Sequence, residues 1–285
     1  MKRNSRGLLL PAALGLLLLP RIGFAALTVT SAAGANPAAI TTAVTNFRTA
    51  LGPLNPNTTT SFPAGRREIN WDGVPDALAA PNALPANFFN SNSPRGVVFS
   101  TPGTGFQVSA NAGIAPVRFG NIDATYTARF QTFSAQRLFT AIGSNVTDVN
   151  FFLPGSAASA ATTAFGAVFT DVETANSTSI QLFDLTGSSL GTFFAPVSGT
   201  NGLSFLGIDS AGTANIGRVR ITSGNAALGD PQSGNDLVVM DDFIYSEPQA
   251  AALAQTPVPT LSGWAMLVMG IALASAAVIL LAIRR

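Results

Sequence analysis

The chain has 285 residues, a formal net charge of +1, only 10% charged residues and neither Cys nor His. Disulfide staples, thiolate or imidazole metal centres, and Ser-His-Asp or Cys-His nucleophile systems are therefore excluded, and with Lys2 the only lysine so is Schiff-base chemistry in a processed domain. Lys2, Arg3, Arg6, Arg21, Arg284 and Arg285 lie at the two ends, and setting these six aside leaves nine basic against fourteen acidic groups, about −5, which does not support a basic nucleic-acid surface.

The first 25 residues have a basic start followed by an apolar stretch from Leu8 to Leu19. As a helix that stretch spans about 18 Å, short of a hydrocarbon core of roughly 30 Å, so a signal peptide is expected rather than a membrane span. Gly23-Phe24-Ala25 supplies the small-x-small pattern for cleavage after Ala25, with Ala26 the near alternative.

Residues 26–65 are expected to form a helix and a loop. Asn36 reads as N-cap, Pro37 as the first helical residue and Gly52 as the stop, with Ile40, Val44, Phe47 and Leu51 on one face. The helix is too short to be stable alone in water and is expected to cover an opening or edge of a sheet. "LNPNTTTSFPAG" follows as a loop.

From Arg66 to residue 249, short strand-like runs recur between turn clusters: "REINW", "GVVFS", "GFQVS", "PVRFG", "VTDVNFFL", "TAFGAVFT", "SIQLFD", "LGTFF", "SFLGI", "RVRIT", "LVVM" and "DFIYS". "VTDVNFFL" alternates, with Thr147, Val149, Phe151 and Leu153 on one face and Asp148 and Asn150 on the other, while Val219 and Ile221 point in and Arg218 and Arg220 out. "FDLTGSSLGTFF" reads as a hairpin turning at Gly187. A dozen such strands without intervening helices predict a mainly β fold, an antiparallel β-sandwich of jelly-roll kind filled largely by Phe.

Carboxylates gather at Asp171 and Glu173, at Asp241, Asp242 and Glu247, and at Glu68 and Asp72. Such segments offer the hard oxygen ligands that Ca²⁺ takes, and solvated edge charges are the other interpretation of them. Asp171 and Glu173, two residues apart on a strand, also raise a glycosidase-like hydrolase, since two acids flanking a sugar bond are the minimum for general acid catalysis. Trp71 and Tyr126 are the aromatic candidates for stacking on sugars, although Phe at alternating strand positions is expected to be core.

Residues 250–257 read as a linker and 258–285 as a C-terminal tail. Trp264 to Ile283 is an uncharged run of twenty residues, long enough to cross a bilayer as a helix, and Arg284 and Arg285 would hold its end on the cytoplasmic side. Val258, Pro259, Thr260, Leu261, Ser262 and Trp264 abut that run. A plain membrane anchor is one interpretation. "VPTLSGW" with one apolar helix and a terminal Arg pair also resembles the IPTL-CTERM sorting signal of Gram-negative bacteria, similar in layout to PEP-CTERM tails. It departs from that signal at Val258, where Ile is usual, and at Gly263, where an acidic residue is common.

The resemblance implies recognition of a membrane-anchored precursor by an exosortase-like transpeptidase, cleavage near Pro259-Thr260-Leu261, and delivery to the cell surface or its extracellular polysaccharide. The pattern from "AFGAVFTDVE" to "MDDFIYSE" resembles jelly-roll ectodomains of sorted surface proteins and carbohydrate-binding modules. Those modules often hold a structural calcium between the first and last strands; by that resemblance Asp241 or Asp242 would ligate it, with Glu68 or Asp72 as partner. The expectation is an exported, non-enzymatic sandwich with a structural, adhesive or glycan-binding role, the alternative being a surface hydrolase.

Overall fold

The computed structural model describes residues 27–212, 215–229 and 234–250. The predicted signal peptide, the sorting motif from Val258 to Trp264, the apolar run and Arg284 and Arg285 lie outside them. Among the described residues no helix is long and apolar enough to cross a membrane.

The chain is mainly β, its named strands paired antiparallel. In sequence order come β1 (Thr28–Gly34), α1 (Pro37–Leu51), β2 (Arg66–Ile69), α2 (Phe88–Ser91), β3 (Val97–Ser100), β4 (Gly105–Val108), α3 (Tyr126–Arg129), β5 (Phe139–Ile142) and β6 (Val146–Phe151). Then follow β7 (Ala160–Ala161), β8 (Ala164–Thr170), β9 (Ser179–Phe183), β10 (Ser189–Phe194), β11 (Leu203–Asp209), β12 (Arg218–Thr222), β13 (Val239–Ser246) and β14 (Gln249–Ala250). The larger sheet runs β1-β11-β8-β13-β5-β4 with β2 also on β13; the smaller runs β10-β9-β12-β6-β3; β7 and β14 form a separate pair.

Alternation explains how the two sheets share a core. Val97, Phe99, Val149, Phe151, Ile180, Leu182, Val219 and Ile221 from the smaller sheet meet Phe165, Ala167, Phe169, Leu206, Ile208, Met240, Phe243 and Tyr245 from the larger. Trp71 stacks on Phe139 at 4.0 Å and 5° in its midst. The predicted Phe filling is therefore present.

The outer face of the larger sheet is covered as well. Ile40, Val44, Phe47 and Leu51 are buried and lie on Ala164, Val168, Leu203, Phe205 and Ile244, so α1 caps a sheet face rather than an edge. Gly166 and Gly207 face each other across β8 and β11, and a Cβ on either would come within 2.9 Å of the Phe47 ring. This glycine pair is the socket that receives the helix. Beside it, Phe119, Tyr126 and Phe130 from the long β4–β5 connection pack with Leu138, Leu237 and Val239.

Several expectations are corrected. "PVRFG" is a single 3₁₀ turn, Val117–Phe119, between Pro116 and Gly120. "LVVM" and "DFIYS" merge into β13, and the Ala/Thr/Gly-rich β1 and the short β5 are strands that the periodicity does not announce.

Candidate functional site

Four arginine-centred clusters neutralise most of the acidic candidates. The first is built on an irregularity in β13. Met240 pairs with Phe169 and Phe243 with Ala167, so β13 carries one residue more than β8 over the same span. Met240 and Phe243 both enter the core although three apart, and the side chains between them, Asp241 and Asp242, meet at one hydroxyl. Ser134 Oγ donates to Asp242 at 2.7 Å and lies 3.2 Å from Asp241, which also accepts the Phe133 N–H at 2.6 Å. Arg48 of α1 donates to Asp242 at 2.8 Å and holds Glu68 through Nε and Nη2 at 3.0 and 2.8 Å. Arg66 completes the cluster on Glu68 at 2.6 Å.

Burial pushes Asp241 well above the usual carboxylate range, and the neighbouring Asp242 carboxylate pushes it further. Asp242 is also raised by burial, against the opposing pull of Ser134 and Arg48. The two share a hydrogen bond, so Asp241 is the side that holds the proton.

The calcium candidates thus divide. Glu68, Asp241 and Asp242 converge, but on the guanidinium of Arg48 and on backbone and hydroxyl donors. Asp72 accepts instead from the Arg137 N–H at 3.3 Å and shares no donor with them, although burial raises its carboxyl and the Asp242 carboxylate is near enough to raise it further. Among the described residues no group of three acidic side chains is arranged to hold a metal ion.

The second cluster is fully buried. Arg67 donates to Glu247 at 2.6 and 2.8 Å and to the carbonyls of Pro56, Thr60 and Pro94 at 2.7–3.0 Å. The loop predicted from Leu54 onward is thereby tied to the end of β13. Removing one partner of such a pair would strand a charge, a change worth about 3–5 kcal/mol.

In the third, β8 ends at Thr170 and Asp171 turns the chain with φ 75°, so Asp171 and Glu173 do not share a strand as expected. Arg129 gathers both, donating through Nε to Asp171 and through Nη2 to Glu173 at 3.0 Å. Asp171 also accepts the Asn201 N–H at 2.6 Å, yet burial still pushes its carboxyl up to about 6.

The fourth lies on the smaller sheet, whose outer face is solvent-facing. Asp148 receives Arg220 at 2.9 and 2.8 Å and Arg218 at 3.0 Å, and Arg218 lies 3.8 Å over the Phe183 ring. The register sets these side chains in rows across the strands: Val98, Asn150, Arg218, Phe183, Ser189 in one, and Ser100, Asp148, Arg220, Gln181, Thr192 in the next.

Trp71 and Tyr126 are 1% and 2% exposed and cannot serve as sugar platforms; Trp71 Nε1 instead donates to the Asp241 carbonyl at 2.7 Å. A half-open hollow of about 440 Å³ lies between the end of α1 and the end of β13. Its acids, Glu247 and Asp209, are engaged by Arg67 and by the Ala211 N–H respectively. A second hollow, about 340 Å³, is lined by Asn87, Asn90, Ser91, Val98, Phe152 and Ser156 at the β3 end of the smaller sheet.

Arg48, Arg129 and Ser134 are the residues that sequence patterning passes over. Arg48 was legible in principle, because it follows Val44 by four and precedes Leu51 by three, which lays its stem along the buried face of α1. No family model matches the chain, and comparison with curated proteins and with solved structures gives no match.

Proposed function

We propose that this protein is an exported, non-enzymatic β-sandwich of jelly-roll kind that serves at the bacterial surface or in its extracellular matrix, in a structural, adhesive or glycan-binding role. Its precursor is held in the membrane by the C-terminal run and released by an exosortase-like enzyme at the Pro-Thr-Leu motif. The observation that carries this is the order of parts: an export-type N-terminus, a two-sheet domain, then "VPTLSGW", twenty uncharged residues and two arginines. The capture of Asp171 and Glu173 by one guanidinium supports a binding or scaffolding domain over a hydrolase, because a general acid and its partner must both be free to exchange protons.

Mass spectrometry of the protein recovered from cells tests the sorting proposal. A mature chain starting at Ala26 or Leu27 and ending near Thr260 is expected. Recovery of the intact Arg285 terminus in the membrane fraction would show a plain anchor instead.

A further inference from the structure

We infer that the outer face of the smaller sheet is a binding surface for an acidic polysaccharide, a polymer of uronate type whose carboxylates are read by Arg218 and Arg220. This rests on the surface or matrix role proposed above and assigns it a site.

The two sheets are treated differently by the fold. The larger has its outer side covered by α1 and by the β4–β5 connection. The five strands of the smaller turn outward Ser100, Asn150, Arg218, Arg220, Gln181, Thr192 and Thr222, each of them half-buried or exposed. At about 4.8 Å between strands, that face is roughly 19 Å across, the scale of a polymer segment rather than of a small molecule.

Its charge differs in sign from the rest of the domain. The only charged residues in these five strands are Asp148, Arg218 and Arg220, so two guanidiniums share one carboxylate and the face carries an excess positive charge. With those three set aside, the other described residues hold seven arginines against twelve carboxylates. An anion is therefore drawn to this face and repelled elsewhere. Arg220 is the more exposed of the pair, its side chain 42% accessible, and a guanidinium binds carboxylate through two parallel hydrogen bonds.

The neutral neighbours suit sugar hydroxyls. Asn150, Gln181, Ser100 and Thr192 provide amide and hydroxyl groups along the same rows. The 340 Å³ hollow continues the face past Val98, joining a partly exposed Phe152 to the side chains of Asn87 and Ser91.

Binding of the full-length protein, held in a mild uncharged detergent, to polygalacturonate, to neutral dextran and to single-stranded oligothymidylate tests this. Polygalacturonate is expected to bind, weakening as salt is raised, with dextran and the oligonucleotide at least tenfold weaker. The variant Arg218→Gln/Arg220→Gln is expected to lose at least tenfold in affinity for polygalacturonate, and Asp148→Asn, which frees both guanidiniums, to gain. Thr192→Glu adds a carboxylate at an exposed row end without touching the Arg pair, and should weaken binding even if the other variants fold poorly.

No binding of polygalacturonate, equal binding of dextran, tighter binding of the oligonucleotide, or affinity unchanged in Thr192→Glu would each overturn the inference. So would a dimer of the unliganded protein that the double variant dissolves, since a second copy would then occupy the face. None of these results touches the terminus mapping, so the sorting proposal stands or falls separately.

Discussion

Asp241 shows how a single residue sets the response of the fold to acid. It lies fully buried, is hydrogen-bonded to the Phe133 N–H and near the Ser134 hydroxyl, and faces a second carboxylate rather than a cation. The folded protein therefore keeps a proton on it at pH values where the unfolded chain has lost one, and the same holds for Asp171, raised to about 6. More protons bound in the folded state means that the contribution of these two groups to stability is greatest below the ordinary aspartate value and declines as pH rises through about 4 to 6 and beyond. Asp241→Asn mimics the protonated form and can still donate to Asp242. The variant is expected to melt higher than the parent at neutral pH and to lose part of that decline, read by thermal melts from pH 4 to 8. Parallel curves for parent and variant would mean that Asp241 ionises normally.

Among elements, the docking of α1 is the most sharply determined. The helix brings Phe47 into the gap left by Gly166 and Gly207 and Arg48 onto Glu68 and Asp242, so one turn supplies both an apolar plug and a cation. Gly207→Ala places a methyl group 2.8 Å from the Phe47 ring, and overpacking of this kind costs about 1–3 kcal/mol. Phe47→Leu in the same chain should recover part of that loss, so a double-mutant cycle is expected to give clear coupling. Additive losses would show that the helix shifts freely on the sheet. The apolar face of α1 was plain in the sequence because Ile40, Val44, Phe47 and Leu51 follow its period. Its target was not, since a glycine pair 41 positions apart carries no periodic signal.

Strands in the interior of the smaller sheet were legible for a related reason: one face is wet, so Arg218-Val219-Arg220-Ile221 alternates. β8, buried on both faces, reads only as an apolar run, and β1, built from Thr, Ser, Ala and Gly, hardly reads at all. The Asp241–Asp242 doublet was visible as chemistry, but the extra residue that turns both side chains to one hydroxyl depends on the register with β8, which lies 70 residues or more away. Long-range pairing of this kind is what local pattern does not encode.

At the scale of the whole molecule, the described arginines largely replace external cations. Seven of nine are in salt bridges, including the one at the centre of the Glu68, Asp242 cluster. A ligand that binds only the folded state raises the melting temperature, so a structural calcium would separate melts in excess Ca²⁺ from melts in chelator. With Arg48 already on these carboxylates, equal melting temperatures are expected. A higher one in Ca²⁺ would require the carboxylates to exchange the guanidinium for the ion.

The order of strands in the larger sheet sets a schedule for the chain as it is made. β13, the last long strand, is the middle one, with β8 on one side and β5 and β2 on the other, while β1, the first, waits at the rim for β11. Nothing upstream can close that sheet before residue 246 is present. The smaller sheet, whose last strand ends at Thr222, and the β1-β11-β8 pairing can form before that, so the arrival of β13 is the step that joins the two halves of the larger sheet into one.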